Sequence, residues 1–262
     1  MENTSWLKQA DEPLFPDMLW SRPENKRQAG KLLVIGGNKH GFAVPAAAYS
    51  AAQAAGIGSC RAMLPESLRK TVGSLFEADF APANPSGSFS KAALANFLEH
   101  AAWADGVLLA GNFGRNSETA IVLDLFIEKY SGLLVVADDA LDYFINKGSP
   151  VLSRDKTTLV INLGKLQKFT KNNSEMIIRH QDNLAETAAK LAELSQVSGL
   201  NYVARHADKL IVAASGQVST TAWKEDSRWQ TELPAYISVW QIQNPQKPFE
   251  AITTAVSDFA TA

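Results

Sequence analysis

Four short apolar runs constrain this chain more than anything else in it. Leu32 to Ile35, Gly106 to Ala110, Leu133 to Val136 and Thr158 to Ile161 each read as a buried strand, and each stops at Gly, Asn or Asp. Helical stretches lie between them. Runs that are apolar throughout, rather than alternating, belong to strands covered on both faces, so this order predicts an α/β protein with a largely parallel sheet. Ligands of such sheets sit outside the strands' carboxyl ends, where Gly36, Gly37, Asn38, Gly111, Asn112, Gly114, Asp138 and Asp139 fall.

The first of these ends sets the pattern. After Leu32 to Ile35 the chain turns at Gly36-Gly37-Asn38, and from Pro45 to Ala55 nearly every residue is small. Such a helix can lie close against the sheet or against a neighbouring subunit. The spacing is neither a P-loop nor G-x-G-x-x-G, so the Gly pair is either turn geometry or a ligand cradle. Asp138 and Asp139 likewise read either as a helix N-cap pair or as ligand or cation contacts.

Composition narrows the classes. A net charge of −2 leaves no electrostatic footprint for nucleic acid. The single Cys60 and four scattered His residues offer no zinc-type ligand cluster, so no resident metal is expected, and Cys60 reads as a buried strand residue. No run approaches the ~18 apolar residues of a membrane helix, and the N-terminus is not a signal peptide, so a cytoplasmic protein with no membrane partner is the expectation. With 262 residues and no linker or repeat, the chain reads as one domain, 1–262.

Other elements follow from local pattern. Residues 1–20 form an N-terminal extension, with a helix or two turns over 5–20. Phe76 to Ser90 reads as loop, Ser90 as the N-cap of a helix over 91–103, and 117–130 as a helix. A helix starts at Ser174 and is capped by Gly199. Tyr202 to Ala204 and Leu210 to Ala213 are strands flanking Arg205-His206-Ala207-Asp208, residues 219–234 are loop, and 235–243 and 249–259 are helical.

The order of turns resembles the nucleotide-dependent NAD(P)H-hydrate dehydratases of the ribokinase-like superfamily. The family pattern G-G-S-x-x-Y-x-G-A-P-x-L-A-A-x-A-A-L-R-x-G-A-G lies ungapped on Gly36 to Gly58, matching at Gly36, Gly37, Pro45, Ala48, Ala51, Ala52, Gly56 and Gly58. G-P-G-x-G falls on Ala110 to Gly114, D-A-D-A-L on Ala137 to Leu141, and L-T-P-H-P-G-E-F on Leu159 to Leu166. The resemblance implies a ribokinase-like three-layer α/β/α sandwich. It also implies repair of hydrated NADH or NADPH, in which ATP or ADP, with Mg²⁺, phosphorylates the hydrate and loss of phosphate restores the ring. By the same resemblance Asn162 and Lys165 line the substrate cleft, Arg205 and His206 stand at the nucleotide site, and Glu232 takes the place of the catalytic carboxylate.

The departures from the family cluster late. Its G-T-G-D turn lands on Trp229-Gln230-Thr231-Glu232, which keeps a carboxylate and loses both glycines, while Pro234 removes a further N–H. Asn162 replaces a His, Lys165 a Glu, Ala137 an Asp, and Arg205-His206 a Lys-Gly pair. Ala43 and Val44 replace a Gly-Ala pair, and Asn112, which tolerates φ > 0, is the mildest change. The expectation is a dehydratase-like protein with weak or absent turnover. The alternatives are a non-catalytic nucleotide or dinucleotide binder, or a structural homo-oligomer using the Ala-rich helix over 46–55, and, third, a small-metabolite kinase.

Overall fold

In the computed structural model, residues 6–74, 76–146, 148–224 and 227–262 are described. The strands are β1 Trp6–Lys8, β2 Lys31–Gly36, β3 Ser59–Pro65, β4 Ala78–Ala81, β5 Gly106–Gly111, β6 Leu133–Ala137, β7 Thr157–Ile161, β8 Asn201–His206, β9 Lys209–Ala214 and β10 Gln217–Ala222. They make one ten-stranded sheet in the order β1-β10-β9-β8-β7-β6-β5-β2-β3-β4. Every neighbour from β8 to β4 is parallel, β9 is antiparallel to both β8 and β10, and β1 joins β10 in parallel.

The helices are α1 Pro16–Trp20, α2 Ala43–Ala54, α3 Arg69–Val72, α4 Ala93–Trp103, α5 Ser117–Lys129, α6 Leu163–Asn173, α7 Leu184–Ser198, α8 Arg228–Thr231, α9 Leu233–Gln243 and α10 Pro248–Thr261. Side chains of a strand alternate between faces, and here both sets are apolar. Leu33, Ile35, Val107, Leu109 and Val136 pack with Phe97 of α4, Phe126 of α5, Phe169 of α6 and Leu191 of α7. Leu32, Val34, Leu108 and Val135 pack with Ala48 of α2, Ile237 and Trp240 of α9, and Ile252 of α10. The result is the expected three-layer sandwich with a largely parallel central sheet.

The small face of α2 is used within the chain. Ala48, Ala51 and Ala52 are buried, and α2 packs on α9 and on β2 and β3. Cys60 is buried in β3, and burial pushes its thiol up to about 12.

Several local expectations are overturned, each by a tertiary partner or a competing bond. The N-terminal extension is not simply helical: Trp6–Lys8 is a strand because β10 offers it an edge, with Trp6 Nε1 donating to Thr220 Oγ1 at 3.0 Å. The expected loop over 76–90 contains β4, held by β3. Ser90 does not cap α4; its hydroxyl donates to the Pro82 carbonyl. The helix expected from Ser174 starts at Leu184, where Asn183 and Glu186 form a capping box, and Ser174 instead closes α6, a helix with only Leu166, Phe169 and Thr170 buried. The expected loop over 219–234 supplies most of β10, all of α8 and the start of α9. Residues 1–5 of the extension and 225–226 of that loop lie outside the described residues.

Candidate functional site

Because β7, β6, β5 and β2 are adjacent and parallel, their carboxyl ends open on one edge of the sheet. Hydrogen bonds join the turns there into one network. The Gly37 amide donates to the Gly111 carbonyl at 2.9 Å, and Asn38 Nδ2 donates to the Asn112 carbonyl at 2.5 Å. Asp139 accepts from the Phe113 amide at 3.1 Å through one carboxylate oxygen and from the Gly114 amide at 3.0 Å through the other. Lys165 Nζ donates to the Asp138 carbonyl at 2.6 Å and pairs with Asp142 at 2.9 Å, and Asn162 caps α6 by accepting the Lys165 amide. The structure therefore brings together Gly36, Gly37, Asn38, Gly111, Asn112, Gly114, Asp138, Asp139, Asn162 and Lys165.

The backbone at this edge is tightly specified. A Cβ at Gly36 would collide with the Gly111 carbonyl oxygen. Gly111 has φ +140°, and a side chain there would meet the Asp138 carboxylate. Asp138 itself takes φ +46°, which costs about 1–3 kcal/mol in a non-Gly residue and is held by the network around it.

Asn112 takes φ +59°, the left-handed conformation the sequence reading expected of a residue standing in for Gly, and it adds a bond that reading did not foresee. Its side-chain oxygen accepts the Val44 amide at 2.9 Å and so occupies the N-terminus of α2, where Phe42 supplies no cap. Donors that could face an anion, the Val44 amide in the first turn of α2 and the Phe113-Gly114 amide pair, are thus filled by Asn112 and Asp139. Burial pushes the Asp139 carboxyl above its ordinary value, and the two amide donors oppose that shift.

Further residues join the network. The Tyr143 hydroxyl donates to the Gly114 carbonyl at 2.5 Å and accepts the Asn116 amide at 3.4 Å. Asn116 caps α5, donates to Ser86 and accepts from Asn84. Asn116 was legible as an N-cap ahead of Ser117 and Glu118; Asn84, Ser86 and Tyr143 carry no local signal, since only the fold delivers them.

Arg205 and His206 end β8, next to β7 on the same edge. Arg205 Nε donates to the Ala207 carbonyl, and His206 Nε2 lies 3.0 Å from the Asp182 carbonyl. Glu232 stands at the start of α9. The other end of α9 reaches the strands' amino ends, where Ile242 lies against Gly30 and Gly106 and Gln243 bonds Ala29 and Gly56, so Glu232 faces the carboxyl edge. The turn before it is wound shut. Trp229 is buried, Trp223 stacks on Phe259, the Glu232 amide donates to the Arg228 carbonyl at 2.8 Å, and the Ala235 amide donates to the Glu232 carbonyl at 3.0 Å.

Sheet order and layering define a three-layer α/β/α fold whose central strands end together at one edge of the sheet. No known protein-family model matches the sequence, and no curated protein is significantly similar to it. Solved structures do match. A ribokinase-like superfamily protein from Enterococcus faecalis V583 is 16% identical, with all of this chain and 89% of that chain covered and a TM-score of 0.74. A hypothetical protein from Streptococcus mutans is 17% identical, with 94% and 88% covered and a TM-score of 0.72. The ADP/ATP-dependent NAD(P)H-hydrate dehydratase of Bacillus subtilis, co-crystallized with ATP/Mg²⁺ and soaked with CoA, is 14% identical, with 96% and 88% covered and a TM-score of 0.65. Among the described residues no helix is long and apolar enough to cross a membrane.

Proposed function

We infer that the chain is a single ribokinase-like domain that binds a nucleotide or dinucleotide on the NAD(P)H-hydrate dehydratase plan, with nucleotide-driven repair of hydrated NADH or NADPH weak or absent. The observation that carries this is the closed turn ahead of α9. The Glu232 amide is spent on Arg228, the Ala235 amide on Glu232, and Pro234 has no N–H, so three of the four successive positions from Glu232 to Ala235 offer no backbone donor to a transferring phosphoryl group.

Among the described residues no cluster would hold Mg²⁺ by itself, so with ATP or ADP the ion would be carried chiefly on the nucleotide's own phosphates. Asp139 gives both oxygens to amides, Asp142 is paired with Lys165, and no group of three or more His, Cys, Asp or Glu among the described residues is placed to hold a metal ion. The four turns meet at one edge of the sheet all the same, which supports binding in the absence of turnover. A small-metabolite kinase would need the same late turn and is disfavoured with it.

The test is direct. Hydrated NADH is incubated with the protein, Mg²⁺ and ATP or ADP while the absorbance of the restored dihydronicotinamide ring is followed. Flat traces are expected; brisk turnover abolished by Glu232→Gln would overturn the reading. Thermal denaturation with NADPH, ATP or ADP checks binding, since a hundredfold excess over Kd stabilises by about 2.7 kcal/mol. No shift with any of them leaves a structural role.

A further inference from the structure

Beside the second turn lies a cavity of about 520 Å³ whose lining includes Gly114, Arg115, Asn116, Ser117, Tyr143 and Lys168, and Gly114 and Tyr143 join it to the network described above. Its charge is unbalanced. Arg115 and Lys168 have no hydrogen-bond or ion-pair partner among the described residues, while the one carboxylate in the lining, Asp142, is neutralised by Lys165. The start of α5, a 13-residue helix, forms part of the wall. Asn116 accepts the Glu118 and Thr119 amides, which leaves the Ser117 amide and hydroxyl unpaired among the described residues. An open hollow with two uncommitted cations and a helix N-terminus in its wall is complementary to a compact anion.

We propose that this cavity is a phosphate subsite of the cleft, in which Arg115 and Lys168 hold a terminal phosphate monoester of the bound ligand. It rests on the binding function proposed above and narrows the ligand to a dinucleotide that carries such a phosphate. Asp139 already fills the amide pair of the second turn, so the anion is received one step further along the same loop, by side chains. Lys165 cannot serve, because Asp142 and the Asp138 carbonyl hold its ammonium group.

NADPH and NADH differ by one phosphate monoester and provide the test. Titration calorimetry is expected to give NADPH at least about tenfold tighter binding than NADH, the factor that one charge-assisted contact is worth. In the double variant Arg115→Ala, Lys168→Ala that preference disappears and NADH affinity stays unchanged. Both side chains are exposed, so circular dichroism of the variant should match the parent. Equal affinity of the parent for the two dinucleotides, or a preference surviving in the variant, overturns the subsite. If neither dinucleotide binds, the function proposed above fails, and inorganic pyrophosphate then decides the subsite alone: thermal stabilisation of the parent but not of the double variant supports it, and no stabilisation of the parent refutes it.

Discussion

Replacing Asp139 by Asn tests whether the cleft is held by its own carboxylate. In the parent both oxygens are engaged, with the Phe113 amide at 3.1 Å and the Gly114 amide at 3.0 Å. A hydrogen bond to a charged group contributes about 1.5–3 kcal/mol. Asn keeps one acceptor and turns an NH₂ toward the other amide, so one bond is lost and the remaining one loses its charge. Burial disfavours the charge that Asn removes and so offsets part of this loss, leaving an expected cost of about 1–2 kcal/mol against the ~5–15 kcal/mol that holds a typical domain. At about 2–4 °C per kcal/mol for a chain of this size, the melting temperature should fall by roughly 2–8 °C.

Calorimetry and urea denaturation at pH 7 measure this, with Asp138→Asn as the control. Asp138 has no side-chain bond among the described residues, and Asn accepts its φ of +46°, so the control should move by less than about 0.5 kcal/mol. The pH dependence has a definite sign. Burial raises the folded-state pKa of Asp139 above the unfolded value, so the native state binds the proton more tightly, and the parent gains stability as pH falls through the folded pKa toward the ordinary carboxylate value. The Asp139→Asn variant has no carboxyl there to protonate, so the gap between parent and variant should widen over that interval. A loss at pH 7 under about 0.5 kcal/mol would refute the argument that Asp139 occupies the amide pair.

Other perturbations probe neighbouring parts of the molecule. Asn112→Gly removes the acceptor on the Val44 amide but relaxes a φ of +59°, so thermal denaturation should show a net loss under about 0.5 kcal/mol. Gly36→Ala drives a methyl group into the Gly111 carbonyl and should destabilise by about 1–3 kcal/mol while disordering the cleft, visible as amide exchange at Gly37 and Asn38. Trp229→Gly restores the glycine that the dehydratase pattern has there, yet it empties a buried site and should cost about 3–5 kcal/mol without producing turnover of hydrated NADH. Asn183→Ala breaks the capping box of α7 and should cost about 1 kcal/mol in urea denaturation.

How much of this was legible beforehand depends on the range of the interactions involved. Leu32 to Ile35 and its three companion runs announced their state because a strand buried on both faces must be apolar at every position, which is a property of the residues themselves. Their Gly, Asn and Asp endings marked the candidate cleft for the same local reason. β1, β4 and β10 were not legible: Trp6–Lys8 and Ala78–Ala81 are short and β10 reads QVSTTA, so each becomes a strand only because a neighbour supplies an edge. α6 escaped because its apolar face is three residues wide.

The sequence by itself determined the layered α/β architecture and the turns that close its central strands, since both follow from patterning and from the conformational freedom of a few turn residues. Only the tertiary structure decided what those turns do with their polar groups. Asn112 fills the start of α2 from 68 residues away, Asp139 fills the Phe113-Gly114 amides from 25 and 26 away, and Arg228 to Thr231 winds into a helical turn that consumes the amide of Glu232. Hydrogen bonds are short in space and indifferent to separation along the chain, so which donors remain open to a ligand is settled only when the fold closes.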